Sequence, residues 1–249
     1  MTHVVAGAPD VSENCTPYLE PLTFCRGMPF RSLITVFFLC LAAIAAADAV
    51  AQAEPDWDEA LARFAALDKT QAPPPRGVVF VGSSSIRLWD GLEGQFGKPN
   101  EVIKRGFGGS RLFDCVRLLD RLVLAYQPRL VLLYAGDNDL AEGRSPDEIL
   151  KQFTAFAEGV HRRLPETRVA FISIKPSPAR RRLIGKARAA NALVRDFVAT
   201  RPQLEFIDVF TPMLGNDGMP RADLFRNDGL HLDEDGYALW REVIKPYVR

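Results

Sequence analysis

The 249-residue chain has little of several things that would each point to a function class. It has no excess charge of either sign, with 31 Lys and Arg against 31 Asp and Glu. That removes the electrostatic case for a dedicated nucleic-acid binder, which needs a strong basic excess on one face. Four Cys are too few to staple a small disulfide fold. The three His and the Cys show no spacing suggestive of zinc. No apolar run reaches the roughly 20 residues of a spanning helix, and no repeat or low-complexity tract is visible. What is there is average: 47% hydrophobic and 25% charged, the composition of a globular protein with a sizeable core. At roughly 150 residues per domain, the length fits one ordinary domain with something appended, or two small ones.

The appended part is N-terminal. Residues 33–47 read LITVFFLCLAAIAAA, uncharged and mostly apolar, after Arg26 and Arg31 and before the small-residue series DAVAQA. Positive flank, hydrophobic core and an Ala-x-Ala site at Ala51-Gln52-Ala53 are the order of a secretory signal. The expectation is a cleaved signal and an exported protein, periplasmic or secreted. A retained membrane anchor and a buried helix are the alternatives, and the chain meets a membrane only if the segment stays as an anchor. A lipoprotein signal fits poorly, because Phe37, Phe38 and Leu39 precede Cys40. The 27 residues before Met28 make a long leader, so Met28 is a candidate start. Cleavage after Ala53 removes Cys15, Cys25 and Cys40 and leaves Cys115, which lies on an apolar helical face and reads as a buried thiol rather than a nucleophile. The chain divides into a 1–53 extension and signal, a 54–75 leading helix and Pro-rich linker, and a 76–249 domain.

The rest alternates short apolar runs with helical patterns. A leading helix over 57–67 is followed by Pro73-Pro74-Pro75 and then by strands over 77–81 and 101–105. Leu112, Cys115, Val116, Leu119, Leu122 and Val123 recur at spacings of three and four, predicting one helix over 112–126. Strands follow at 129–134, 168–174 and 204–209, with helices from about Pro146, over 183–198 and over 237–247. Continuous apolar strands alternating with helices imply an α/β, three-layer fold: a five-stranded parallel, flavodoxin-like sheet with helices on both faces.

In such sheets ligands bind beyond the carboxyl ends of the strands. There the sequence places Gly82-Ser83-Ser84-Ser85, Gly106-Phe107-Gly108-Gly109-Ser110, Gly136-Asp137-Asn138-Asp139 and, after a longer loop, Asn227-Asp228-Gly229-Leu230-His231. These offer a hydroxyl, unobstructed backbone N–H groups, a side-chain amide, and a carboxylate three residues before an imidazole. A Ser hydroxyl is a weak nucleophile until a base takes its proton, and His has the pKa for that task. Each piece has a plain rival. Serines after a strand are more often a helix cap, Asp228 and His231 could cap a helix start that Asp233 and Asp235 also crowd, Gly109 could be only a turn, and a lone Asn138 is normally a turn former. The plain readings do not predict all four in order at four strand ends.

In those blocks the chain resembles the SGNH, or GDSL-like, hydrolases, across residues 76–249. FVGSSSI is similar to the family's Gly-Asp-Ser block, RGFGGS to its glycine block, YAGDNDL to its Gly-x-Asn-Asp and DGLH to its Asp-x-x-His. The resemblance implies a serine esterase acting on carboxylic esters, with Ser84 as nucleophile, His231 as base and Asp228 as its partner. The oxyanion donors would be the Ser84 N–H, the Gly109 N–H and the Asn138 amide. It implies no cofactor and no metal. Ser83 replaces the usual Asp before the nucleophile and Lys104 the Asn common at the head of the second block; neither is catalytic in the family mechanism, but the support around Ser84 could differ. Gly-x-Ser-x-Gly fails at Ile86, and a dinucleotide fingerprint from Gly106 fails at Arg111.

The expected partner is a small ester: a short-chain acyl ester, an acetylated carbohydrate or a lysophospholipid. Lys175, Arg180, Arg181 and Arg182 follow the fourth strand near the same rim, to meet an anionic substrate or, the plainer reading, merely to be solvated. The alternative from another class is a non-catalytic flavodoxin-like domain binding phosphate, FMN or carbohydrate. Such a protein would have no use for His231 beside Ser84.

Overall fold

A computed structural model describes residues 56–97 and 101–248 of the chain. The signal-like segment, its cleavage site, Met28 and the three N-terminal Cys lie outside the described residues. Among the described residues no helix is long and apolar enough to cross a membrane.

In chain order the elements are α1 (Asp58–Thr70), β1 (Val78–Gly82), α2 (Ser84–Arg87), β2 (Val102–Gly106), α3 (Leu112–Arg117), α4 (Leu119–Leu122), β3 (Leu130–Tyr134), α5 (Asp137–Ala141), α6 (Pro146–Arg163), β4 (Arg168–Ile172), α7 (Ile184–Val198), β5 (Leu204–Ile207) and α8 (Glu234–Ile244), with short 3₁₀ turns between. The five strands form one sheet in the order β2-β1-β3-β4-β5, every pair parallel. This is the α/β architecture the alternation implied.

Every residue of β1 and β3 is buried, because successive side chains feed opposite faces and both are covered. Val79 and Val81 point into a core closed by α1, α3, α4, α6 and α7, while Val78 and Phe80 enter a second core with Ile86, Trp89 and Trp240. Helix α6 shows the local logic. Ser145 caps it, its Oγ accepting from Glu148 N–H at 3.2 Å while Glu148 Oε2 accepts from Ser145 N–H at 2.8 Å, and Pro146 starts the first turn. Ile149, Phe153, Phe156 and Val160 then bury one stripe, each worth ~1.5–3 kcal/mol of removed apolar surface.

Two elements depart from expectation. The single helix expected over 112–126 breaks at Leu118 (φ −100°, ψ 15°) and ends in a 3₁₀ turn, Leu124–Tyr126. The apolar period survives the break, since Leu112, Cys115, Leu119, Leu122 and Val123 all reach the core. The altered path carries Tyr126 to the outer strand, where its hydroxyl donates to Asp68 at 2.7 Å and accepts from Arg105 Nε at 2.9 Å. The closing helix starts earlier than Tyr237, because Asp233 caps it by accepting from Gly236 N–H at 2.9 Å.

Strand β2 lies on one side of β1 and β3 on the other, so the order reverses between β1 and β3. That point is where a parallel sheet splays its outgoing loops apart and opens a crevice.

Candidate active site

The crevice is narrow at its floor because Gly82 closes it. A Cβ on Gly82, whose φ is +142°, would stand 1.8 Å from the Tyr134 carbonyl oxygen, so only glycine brings β1 this close to β3. Ser83 follows, its N–H donating to that Tyr134 oxygen at 3.0 Å and its own carbonyl accepting from Ile86 and Arg87 N–H. This fixes the turn into α2 and stands Ser84 at its first position, facing the crevice. Ser83 and Ser85 are each 1% exposed, and neither hydroxyl has a hydrogen-bond partner. Ser83 thus occupies the usual aspartate's place as a small, buried group that supports the turn through its backbone. Lys104 lies on β2 and donates from Nζ to the Trp89 carbonyl at 3.0 Å, bracing the outer strand rather than the crevice.

Of the three adjacent serines, Ser84 is the one that meets an imidazole. His231 Nε2 is 3.1 Å from Ser84 Oγ, and His231 Nδ1 is 2.6 Å from Asp228 Oδ2. With a carboxylate on Nδ1, that nitrogen carries the proton and leaves Nε2 free to accept from the hydroxyl. Asp228 is set by its own turn: Oδ1 accepts from the N–H groups of Leu230 and His231, both at 2.9 Å, and Gly229 between them takes φ +61°. The His231 N–H, then its ring, then the Leu230 N–H hold the Asp228 carboxyl well below the usual carboxylate range. Asp233, not Asp228, caps α8.

Gly109, at φ +85°, and Asn138, in the first turn of α5, face the same cleft. It holds about 480 Å³ and is lined by Ser84, Gly109, Asn138 and His231, with Trp57 and Phe107 as an apolar wall. The two rings meet edge to face at 5.0 Å. The Asn138 amide is fixed in orientation: Oδ1 accepts from Arg180 Nη2 at 2.9 Å and Nδ2 donates to the Ser110 carbonyl at 3.0 Å, leaving its second N–H to point elsewhere. Behind it Asp139 takes the Leu112 N–H on both carboxyl oxygens, at 3.1 and 3.2 Å. Burial pushes Asp139 up to about 6 despite those bonds.

The basic cluster after β4 does not form a solvated rim as a group. Lys175 is 3% exposed, with Nζ 3.1 Å from the Tyr134 hydroxyl and 3.2 Å from Asp137 Oδ2. Arg180 Nη1 lies 3.0 Å from the same Asp137 oxygen. Burial alone would push Asp137 up, but Lys175 and Arg180 outweigh it and hold it below its ordinary value. Burial pushes Tyr134 up to about 12. Only Arg181 and Arg182 are exposed. The sequence could not separate these four, because a run of cations looks alike whether or not a buried carboxylate awaits two of them. Cys115 is fully buried, and burial pushes its thiol up. Among the described residues no three His, Cys, Asp or Glu gather as around a metal ion. Two further cleft residues carried no sequence signal of proximity, Trp57 and Arg63 of the leading segment.

Residues 76–239 match the family model of the GDSL-like lipase/acylhydrolase family. The platelet-activating factor acetylhydrolase IB subunit alpha1 of Bos taurus and that of Homo sapiens are each 27% identical over 196 residues, covering 75% of this chain and 80% of the relative. Among solved structures, a GDSL-like lipase from Bacteroides thetaiotaomicron superposes with a TM-score of 0.63 at 24% identity, covering 76% of this chain and 96% of that one.

Proposed function

The chain belongs to the GDSL-like lipase/acylhydrolase family, and from that premise we propose that it is an exported serine esterase whose nucleophile is Ser84, acting on small carboxylic esters. One observation carries the reading: the unbroken line from Ser84 Oγ through His231 to Asp228, 3.1 Å and 2.6 Å long. A phosphate- or FMN-binding protein of this fold has no reason to bring that hydroxyl and imidazole together.

The chemistry follows from the geometry. His231 Nε2 takes the Ser84 proton as Oγ attacks the ester carbonyl, and Asp228 stabilises the imidazolium without accepting the proton itself. The carbonyl oxygen, now an anion, is met by donors that need no rearrangement: the N–H groups of Ser84 and Gly109 and the second N–H of Asn138. The Arg180 cation on Asn138 Oδ1 both fixes the amide and polarises it toward better donation. Collapse expels the alcohol, which leaves with the proton from His231. Water enters by the same base, and the acid departs from Ser84. The relatives' name, acetylhydrolase, supports a short acyl group, as does the wall of Trp57 and Phe107 close to Ser84. Export rests on the pattern of residues 33–47, and N-terminal sequencing of the fractionated protein checks it.

The test is turnover of p-nitrophenyl acetate with covalent labelling by a fluorophosphonate. Labelling maps to Ser84, and Ser84→Ala abolishes both; a folded protein that stays unlabelled at Ser84 overturns the assignment.

A further inference from the structure

The cleft at Ser84 does not end at the reacting groups. A second chamber of about 250 Å³ lies between α1 and the outer strand β2, and Arg63 and Arg87 line both spaces. Arg87 is one helical turn beyond Ser84 on α2, exposed, and packed against the glycine loop: a Cβ on Gly108 would stand 2.7 Å from its Nε. It makes no ion pair or hydrogen bond with any described side chain. Arg63 is half exposed, its one ion pair being with Glu59 at 3.9 Å, itself almost fully exposed, a contact of little energetic weight, and its guanidinium lies 6.0 Å from the Phe64 ring centre.

The other charges in the second chamber neutralise one another. Arg105 pairs with Asp68, and the Lys104 ammonium lies 3.6 Å from Glu93. Arg87, and Arg63 with no more than that weak pair, are thus the cations left over, and both line the two spaces. Asp56 and Glu59 line the Ser84 cleft but not the second chamber. A guanidinium without a strong protein partner, beside a cavity that adjoins a nucleophile, is placed to recognise part of what the nucleophile attacks, and its planar fork matches carboxylate or phosphate oxygens.

We propose that Arg63 and Arg87 form an anion subsite, so that the preferred substrate is an ester with a carboxylate or phosphate on one arm. This rests on the reading of Ser84 as the nucleophile. It also relocates the substrate-facing cations: Lys175 and Arg180 are committed inward to Asp137 and Asn138, and the first helix and the nucleophile's own helix supply the pair instead.

Two matched ester pairs test it and separate the arms: p-nitrophenyl butyrate against mono-p-nitrophenyl succinate for the acyl side, and phenyl acetate against 4-carboxyphenyl acetate for the alcohol side. The protein is expected to favour the anionic member of one pair in kcat/KM. That ratio falls about tenfold in Arg63→Gln/Arg87→Gln, as expected for loss of a charge-assisted contact, and falls less in Arg87→Lys, which keeps the charge but loses the fork. A ratio near one in both pairs, or one that the double substitution leaves unchanged, overturns the subsite. A second arm needs no turnover. Phenyl phosphate should raise the Tm of Ser84→Ala protein, and the rise should vanish when Arg63→Gln and Arg87→Gln are added. No rise overturns the subsite; a rise with no ester turnover and no labelling of the native protein overturns the nucleophile assignment while supporting the subsite.

Discussion

The candidate site has two sides built on different principles. Ser84 and Asn138 hang from the ends of β1 and β3, the two fully buried strands, and are braced by groups distant in sequence: the Tyr134 carbonyl behind Ser83, Arg180 on Asn138 and Asp139 on Leu112. Asp228 and His231 ride instead on a turn whose bonds are almost all to itself. Asp228 holds the next residues' N–H groups, Gly229 N–H donates to the Arg226 carbonyl, and Arg226 N–H donates to that of His231. Its main tie to the sheet side is the Ala179 N–H on the Gly229 carbonyl, at 3.0 Å. The first side is rigid because it is buried, the second because it is short. Changes on one should therefore fail differently from changes on the other.

Short of removing Ser84 itself, the largest expected effect is on the turn side. Asp228→Asn keeps an acceptor for the Leu230 and His231 N–H groups, so the turn survives, but the carboxylate that sets the His231 tautomer is gone. By analogy with the same change in a Ser-His-Asp triad, kcat should fall about 10⁴-fold with little change in Tm. A loss below about tenfold would mean that the turn's backbone alone orients the imidazole. On the buried side, Asn138→Ala should cost ~3 kcal/mol of barrier, about a hundredfold in kcat. Arg180→Met should cost less, lower kcat more than it raises KM, and add nothing in an Asn138→Ala background. Additive losses in that cycle would show that Arg180 acts other than through Asn138.

The buried side also carries a pH signature opposite in sign to that of the turn side, where the lowered Asp228 carboxyl favours the fold above its ordinary range and loses that contribution in acid. Asp139 is raised from its ordinary 3.8 to about 6, first by burial. The fold therefore prefers its neutral form: the contribution is intact below about pH 4 and is lost as pH rises through about 6. Asp139→Asn should accordingly be more stable than the parent at pH 8 by about 2–3 kcal/mol, with the advantage gone by pH 4. Denaturant unfolding of the two proteins at both pH values cancels the other titrating groups. An advantage independent of pH would overturn the assignment to ionisation.

The same contrast explains what could be read from sequence. The turn side is local, so Asp-Gly-Leu-His stands in one stretch with its geometry implied by spacing. The strands were legible because runs such as VVFV and LVLLY have few other uses. The bracing of the buried side was not legible, because Lys175, Arg180 and Asp137 meet only through the packing of two strand ends, those of β3 and β4. Helices α2 and α5 are four and five residues long, below the length at which an apolar period can show. The break at Leu118 left the period intact and therefore gave no sign. Nor did the Pro-rich linker reveal that α1 folds back, placing Leu61 and Phe64 in the core and Trp57 and Arg63 at the cleft.

The smallest effect probes the turn most directly. Gly229 sits at φ +61°, and a Cβ there would be 3.3 Å from Pro178 Cβ and 3.4 Å from Ala179 N, the group that ties the turn to the rest. Gly229→Ala should cost about 1 kcal/mol for the left-handed backbone, a Tm fall of roughly 2–4 °C for a chain of this size. Because His231 is two residues on, the strain is also passed to the Nε2–Oγ distance, and kcat at a temperature well below Tm should fall about 3- to 10-fold, a modest share of what misplacing a reacting group can cost. If the turn is rigid only through its own bonds, kcat and the rate of fluorophosphonate labelling fall together. If Tm drops while both rates hold, the imidazole is positioned from the sheet side, and the two sides of the site are one.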